Sequence, residues 1–244
     1  MIGSTIILLD SVDSTNNYAA KELLTKSLNE GTVFAASCQH AGRGQGSASW
    51  ESAAGVNLTI SIVLYPKKVE VARQFSISKA VALGITDFLS EETESISIKW
   101  PNDIYAGDGK IAGILIEVAI SAGQISRAIV GIGLNINQEK FVSDAPNPVS
   151  LKNLTGKDYD LTEMLGRMCA RIDMRYNQLI RGGKDTIDQE YEMMLYRRGV
   201  WAKYGAEGVN FEGMITGIDD EGRLMMRLRN GEIRTYRFKE IQFL

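Results

Sequence analysis

K-W-P-N-D-I-Y-A-G-D-G-K-I-A-G-I-L-I-E, running from Lys99 to Glu117, is the stretch on which the reading of the chain turns. Ile111 to Val118 is almost continuously apolar and β-branched, and it is short for a helix. It therefore predicts a strand covered on both faces. Ala106-Gly107-Asp108-Gly109 supplies turn chemistry ahead of it, so Ile104-Tyr105 and the strand after Lys110 are expected to form a hairpin. Pro101 fixes its own φ and biases Trp100 towards extended backbone, which presents Asn102 and Asp103 at a stiff corner. Lys110 stands at the mouth of the apolar strand, where its ammonium must be paired or solvated because an isolated buried charge is very costly. Taken alone, the stretch leaves two readings of Lys110 open: a charge that serves a site, or a snorkelling side chain at a strand end.

The chain around it has 244 residues, enough for a substantial core and for one large domain plus a small one. A net charge of −3 argues against non-specific nucleic-acid binding, which needs a basic footprint. The two cysteines, Cys38 and Cys169, lie far apart, which speaks against a disulfide framework or a cysteine zinc site and for reduced thiols in a cytoplasmic protein. Met1 leads directly into Ser4 to Leu9, a short run without the basic start and long apolar core of a signal peptide, and it predicts a first strand. No run approaches the length of a membrane span.

Upstream, Asp13-Ser14-Thr15-Asn16-Asn17 is rich in N-capping side chains and precedes the helical composition of Tyr18 to Leu24. These residues could cap the helix, or its amides and short hydroxyls could bind a polar ligand edge. A strand is expected from Thr32 to Cys38. It runs into Gln39 to Trp50, a segment of small residues expected to form a mobile loop. Gly42-Arg43-Gly44 with Gly46 lets backbone amides approach an anion, but the loop matches neither the phosphate-loop pattern nor the dinucleotide fingerprint. His40, the only histidine, has no histidine partner for a metal and receives no catalytic role. Asn57 to Leu64 predicts another strand and Val71 to Leu89 an amphipathic helix lying across the sheet. Downstream, Ala128 to Ile136 predicts a buried strand interrupted by Gly131 and Gly133, either for close approach of a ligand or for packing. Leu161 to Leu179 and Ile187 to Leu195 predict core helices. From about Gly199 the texture changes to short strands at Phe211 to Ile218, Leu224 to Leu228 and Ile233 to Phe238, a small β module and plausible barrel in composition.

In this order the motifs resemble the biotin protein ligases, the biotin–[acetyl-CoA-carboxylase] ligases. The resemblance is carried by D-S-T-N at Asp13 to Asn16, Q-x-A-G-R-G at Gln39 to Gly44 with Trp50, K-W-P-N-D at Lys99 to Asp103, G-K-I-A-G-I-L-I-E at Gly109 to Glu117, G-I-G-L-N at Gly131 to Asn135, and F-K-E-I at Phe238 to Ile241. It implies an α+β fold: a mixed-sheet catalytic domain over residues 1–196 and an SH3-like β-barrel over 197–244. It also implies that biotin and Mg2+-ATP form biotinyl-5′-AMP, after which a lysine of a biotin carboxyl carrier domain takes the biotinyl group. By match to the family motifs, Lys110, Arg43 and Asp103 would be catalytic. Ser14, Thr15, Asn16, Gln39, Arg43, Gly44, Gln45, Lys110, Gly113 and Gly133 would bind biotin, and Arg43, Trp50, Asn102, Lys110 and Asn135 the nucleotide, with no metal ligand in the protein. Members that repress transcription carry a winged helix-turn-helix before D-S-T-N; the motif begins here at Asp13, so no specific DNA partner and no membrane association are expected. A homodimer is left open. The chain departs from the family in one place: Gln45-Gly-Ser-Ala-Ser49 follows Gly42-Arg43-Gly44, where the family has at least one further arginine. The alternatives are a non-catalytic biotin-binding or regulatory protein, and a lipoate or octanoyl transferase of the same superfamily.

Overall fold

A computed structural model describes residues 1–142 and 147–244. Seven strands form one mixed sheet: β1 (Ile6–Val12), β2 (Val33–Gln39), β3 (Leu58–Leu64), β4 (Ile96–Lys99), β5 (Asp103–Ala106), β6 (Gly109–Ser121) and β7 (Gln124–Leu134). Their order across the sheet is β1-β2-β3-β7-β6-β5-β4, with β1 and β2 parallel and every other neighbouring pair antiparallel. Five α-helices accompany them among the described residues: α1 (Thr15–Thr25), α2 (Phe75–Leu89), α3 (Leu151–Thr155), α4 (Leu161–Ile180) and α5 (Lys184–Met193).

Alternation along the central strands divides the sheet into two unlike faces. Leu58, Ile60, Ile62 and Leu64 of β3 and Ala128, Val130, Ile132 and Leu134 of β7 join α2, α4 and α5 in the main core. The opposite face carries α1 and a smaller cluster of Ala19, Phe34, Val63 and Ile129. Towards the start of α1 that second face loses its apolar side chains: β3 offers Thr59 and Ser61, and β7 offers Gly131 and Gly133. The sequence therefore builds a well-filled core on one side and a recess on the other.

Several expectations shift. The strand at Ile111 to Val118 is covered on both faces only near its start, since Leu115 to Val118 are half-buried on the way to an exposed end. The helix from Val71 is a single 3-10 turn (Val71–Arg73) followed by α2, and α2 is buried nearly all round instead of being amphipathic. Its outer side is taken by α4, which crosses so closely that a Cβ on Gly84 would lie 2.6 Å from Ile172 Cα. Even Lys79 is buried there, its ammonium 2.8 Å from Asp188. The capping reading of residues 13–17 also fails: Ser14 occupies the N-cap position without a side-chain cap bond.

The C-terminal strands are β8 (Trp201–Ala206), β9 (Val209–Ile218), β10 (Leu224–Leu228), β11 (Ile233–Tyr236) and β12 (Gln242–Phe243), in the order β11-β10-β9-β8-β12. They form a five-stranded antiparallel sheet in which β11 and β12 are edges, so the pairing among the described residues does not close a barrel. This small sheet is bound to the large one: the Trp100 indole donates to the Gly222 carbonyl at 2.9 Å, and at the junction the Ile98 amide donates to the Met194 carbonyl at 2.7 Å and the Tyr196 amide to the Ile98 carbonyl at 2.9 Å. No helix among the described residues is long and apolar enough to cross a membrane.

Candidate active site

The recess on the α1 face is a cavity of about 360 Å³. Its floor is made of strand positions without side chains. Gly113 on β6 faces Gly133 on β7, and Gly131 lies one step along the same face, opposite Leu115 and Ser61. The need for glycine is local and steric: a Cβ on Gly131 would lie 2.5 Å from Asn16 Oδ1, and one on Gly133 would lie 2.5 Å from Trp50 Nε1. Thus Gly131 makes room for α1, whereas Gly113 and Gly133 make room for an aromatic ring. The sequence reading had set Gly113 and Gly133 aside for biotin, and here their space holds Trp50.

The first turn of α1 forms one wall. Ser14, Thr15 and Asn16 are buried, and the side-chain bonds of Thr15 and Asn16 run into the sheet and not back along the helix. Gln39 Oε1 accepts from the Thr15 amide at 2.7 Å and from its hydroxyl at 3.1 Å. The Ser61 hydroxyl bonds Thr15 Oγ1 at 2.8 Å and Asn16 Oδ1 at 2.6 Å. Asn16 Nδ2 donates to Glu117 at 2.8 Å. Such a satisfied network holds polar groups rigidly in an apolar surrounding. Ser61 and Glu117 were not singled out from sequence. A serine between the isoleucines of a mostly apolar β3 was the available signal for the first, and an acid in the middle of the β6 strand for the second.

A β-bulge brings Lys110 to this face. The pairing of β5 with β6 shifts between Ile104 and Tyr105, leaving Ile111 as the extra residue. Three residues apart on a regular strand, Lys110 and Gly113 would point to opposite faces; the bulge puts them together, with an added Gly113 Cβ 3.6 Å from Lys110 Cε. The expected hairpin at Gly107-Asp108 is present, and so is the Pro101 corner, now the turn between β4 and β5. That corner sets Asp103 2.7 Å from the Lys110 ammonium and lets Asn102 Nδ2 donate to the Ile114 carbonyl at 2.8 Å. Beside it, burial lowers the pKa of Lys99, and burial followed by the Asp103 charge pushes Tyr105 up to about 12.

The loop after Gln39 folds over the cavity as a narrow turn, with the Gly44 amide donating to the Ala48 carbonyl at 2.7 Å and the Trp50 amide to Gly42 at 2.9 Å. Arg43 reaches Asn17 and forms an ion pair with Glu117. The Trp50 ring lies 5.8 Å from the Lys110 ammonium, within cation–π range. All of the residues proposed from sequence line the cavity except Asn135. Asn135 borders a smaller hollow of about 50 Å³ behind Trp50, shared with Lys110 and Ser49, and its amide donates to the Val149 carbonyl at 3.0 Å. Gln45 Oε1, Trp50 Nε1 and Asn135 Oδ1 are buried and find no hydrogen-bond partner among the described residues. Buried polar atoms in this state are uncommon in folded proteins, and these three leave hydrogen-bonding capacity around the site that a polar ligand or water can meet. The far rim was not foreseen: Phe238, Lys239, Ile241 and Phe243 of the small sheet complete the cavity. Among the described residues no group of three or more His, Cys, Asp and Glu could hold a metal ion.

Residues 8–135 match the profile of the Biotin/lipoate A/B protein ligase family. A bifunctional ligase/repressor BirA of Bacillus spizizenii is 31% identical, the alignment covering 97% of this chain and 73% of the relative. A biotin–[acetyl-CoA-carboxylase] ligase of Paracoccus denitrificans is 31% identical over 90% of this chain and 93% of its own. Among solved structures, the biotin protein ligase from Aquifex aeolicus in complex with biotin and ATP superposes with a TM-score of 0.81 at 28% identity, covering 99% of both chains. With its motif residues gathered in one recess and likeness extending through both sheets, the chain belongs to the biotin/lipoate A/B protein ligase family.

Proposed function

We propose that the chain is an ATP-dependent biotin–protein ligase, which activates biotin as biotinyl-5′-AMP and transfers it to a lysine of a biotin carboxyl carrier domain. One observation carries the reading: the α1 turn, the Gln39 to Trp50 loop, the Pro101 corner and the bulged lysine, all far apart in sequence, converge on one cavity. The relatives' names and the structural neighbour bound to biotin and ATP support the same activity.

In the first step the biotin carboxylate attacks the α-phosphorus, a C–O–P linkage forms and pyrophosphate leaves. Two anions meet, so fixed cations and dipoles must stabilise the developing charge. Lys110 fits this task because it is held at the cavity by Asp103. Ser14, Thr15, Asn16 and Gln39 offer hydroxyls and amides to the biotin head. Trp50, Asn102 and Asn135, with Arg43 and the backbone of Gly44 and Gln45, surround the remaining space for the nucleotide. In the second step the carrier amine attacks the biotinyl carbonyl, an amide forms and AMP departs with the bonding electrons. Asp103, which lines the cavity beside Lys110, would receive the amine's proton. In this reading magnesium would come with the phosphates of ATP and supply charge neutralisation there, and Asp103 is the carboxylate of the cavity lining that could meet it.

We read the boundary between the two units at 196/197 and the small sheet as SH3-like. Support comes from its curl: Tyr236 of β11 stacks on Phe211 of β9 at 6.0 Å, although β10 lies between the two strands.

The test is biotin-dependent exchange of pyrophosphate into ATP, followed by transfer of radiolabelled biotin to an apo carrier domain, with lipoate in parallel. Exchange and a labelled carrier are expected with biotin. Exchange with lipoate alone would assign the chain to the lipoate branch, and biotin binding without exchange would make it a non-catalytic binder.

A further inference from the structure

The cavity is lined by four charged side chains, Arg43, Asp103, Lys110 and Lys239. Two of the three cations are already neutralised, Lys110 by Asp103 and Arg43 by Glu117. Lys239 pairs with no carboxylate among the described residues; its ammonium lies 5.8 Å from the Phe238 ring. It stands on the small sheet's final loop and presses on the loop of the large sheet, where a Cβ added to Gly46 would lie 3.0 Å from Lys239 Cε and closer still to Nζ. Gly46 has φ +70°, so both its backbone and the lysine exclude a side chain there. Lys239 itself has φ +68°, a left-handed conformation that an L-residue adopts only at a cost. Strain at the rim of a ligand cavity is a recognised mark of a functional position.

We propose that Lys239 is a phosphate-binding residue: carried across from the small sheet onto the backbone of Gly46, its ammonium supplies the unpaired positive charge that faces the polyphosphate of ATP and then the phosphate of biotinyl-adenylate. The proposal rests on the ligase reading above. It gives the loop segment Gln45 to Ser49, which has no cation of its own, one from another part of the chain. Arg43 and Lys110 would each have to leave a carboxylate to do the same work, whereas Lys239 need not.

The experiment follows release of radiolabelled biotinyl-adenylate from the full chain, from Lys239→Gln, from Lys239→Arg and from the Gln45→Arg/Lys239→Gln double variant. Each is measured at low and physiological ionic strength, with the dissociation constant for biotin alone alongside. Lys239→Gln should release the adenylate about three- to tenfold faster at low salt, a modest effect because the side chain is exposed. Biotin affinity should be unchanged, Lys239→Arg should behave as the parent, and Gln45→Arg should slow release again. Added salt should speed release from the parent more than from Lys239→Gln, since screening acts on the charge that the variant lacks. Equal release from parent and Lys239→Gln at low salt, or an equal loss of biotin affinity, would overturn the proposal while leaving the ligase reading intact. A parent chain that forms no adenylate from biotin and ATP would overturn both.

Discussion

Gly131→Ala tests the idea that the cavity floor is glycine because α1 needs the space. The added methyl would lie 2.5 Å from Asn16 Oδ1, 3.0 Å from its Cγ and 3.1 Å from its Nδ2, so the amide must move. Asn16 is 2% exposed and has no solvent to turn to. Its displacement breaks the 2.6 Å bond from Ser61 and the 2.8 Å bond to Glu117. The neutral bond contributes about 1 kcal/mol, and the carboxylate bond about 1.5, the low end of its range because Glu117 is half in solvent. Leaving the amide unpaired adds about 1 kcal/mol, and alanine returns roughly 0.5–1 by restricting the unfolded chain. The net loss is about 2.5–3 kcal/mol, or roughly 5–12 °C in Tm for a chain of this size. Thermal unfolding reads the first number, and biotin titration calorimetry should show weakened binding because Asn16 no longer faces the site. Gly166→Ala is the matched control: it lies on the exposed side of α4 with nothing within 4 Å of the added Cβ, and it should gain about 0.5–1 kcal/mol. A Gly131→Ala protein with parental Tm and biotin affinity would refute the steric account.

Lys110→Ala should lower adenylate formation by about a hundredfold or more, the scale found when one transition-state donor is removed; near-normal pyrophosphate exchange would return Lys110 to the role of a strand-end lysine. The amides of Gly42 to Ser49 should exchange more slowly with solvent when biotinyl-adenylate is bound, and unchanged exchange at saturation would contradict closure of the loop over the ligand. Glu91, bridging α2 to α4, has its pKa held below 4.5 by the hydrogen bond from Arg167. A carboxylate depressed on folding contributes stability that is complete above its unfolded value and lost as pH falls through the folded one. Unfolding of Glu91→Gln should accordingly depend less on pH below 4.5 than the parent's, and parallel curves would count against the pair.

The strands of the large sheet were legible because their β-branched runs are local: β3 and β7 lie within a residue or two of the positions expected from sequence, apart from an earlier start for β7. β8 was missed because W-A-K-Y-G-A mixes small residues with a lysine and shows little alternation. The all-round burial of α2 was hidden for a different reason, since it depends on α4 arriving some eighty residues later. At the site, D-S-T-N, K-W-P-N-D and G-K-I-A-G named residues that the fold brings to one cavity, yet spacing alone left capping open at the first and a snorkelling side chain open for Lys110. Gln39, Ser61 and Glu117 are the partners that draw the α1 side chains away from capping, and each comes from a separate strand. Lys110 faces the cavity through a bulge of one residue, a register shift that no periodicity in the sequence displays.

The seam between the two sheets has an energetic consequence. Trp100 reaches across it to Gly222, next to the Pro101 corner that carries Asp103, and the small sheet provides the cavity's outer rim. A ligand seated there touches both bodies at once, so its binding free energy is shared by the seam. Occupancy at a hundred times the dissociation constant adds about 2.7 kcal/mol to whatever must come apart for the ligand to leave. The seam should then open at a higher temperature as substrate is added, with the cavity acting as the joint's own fastener.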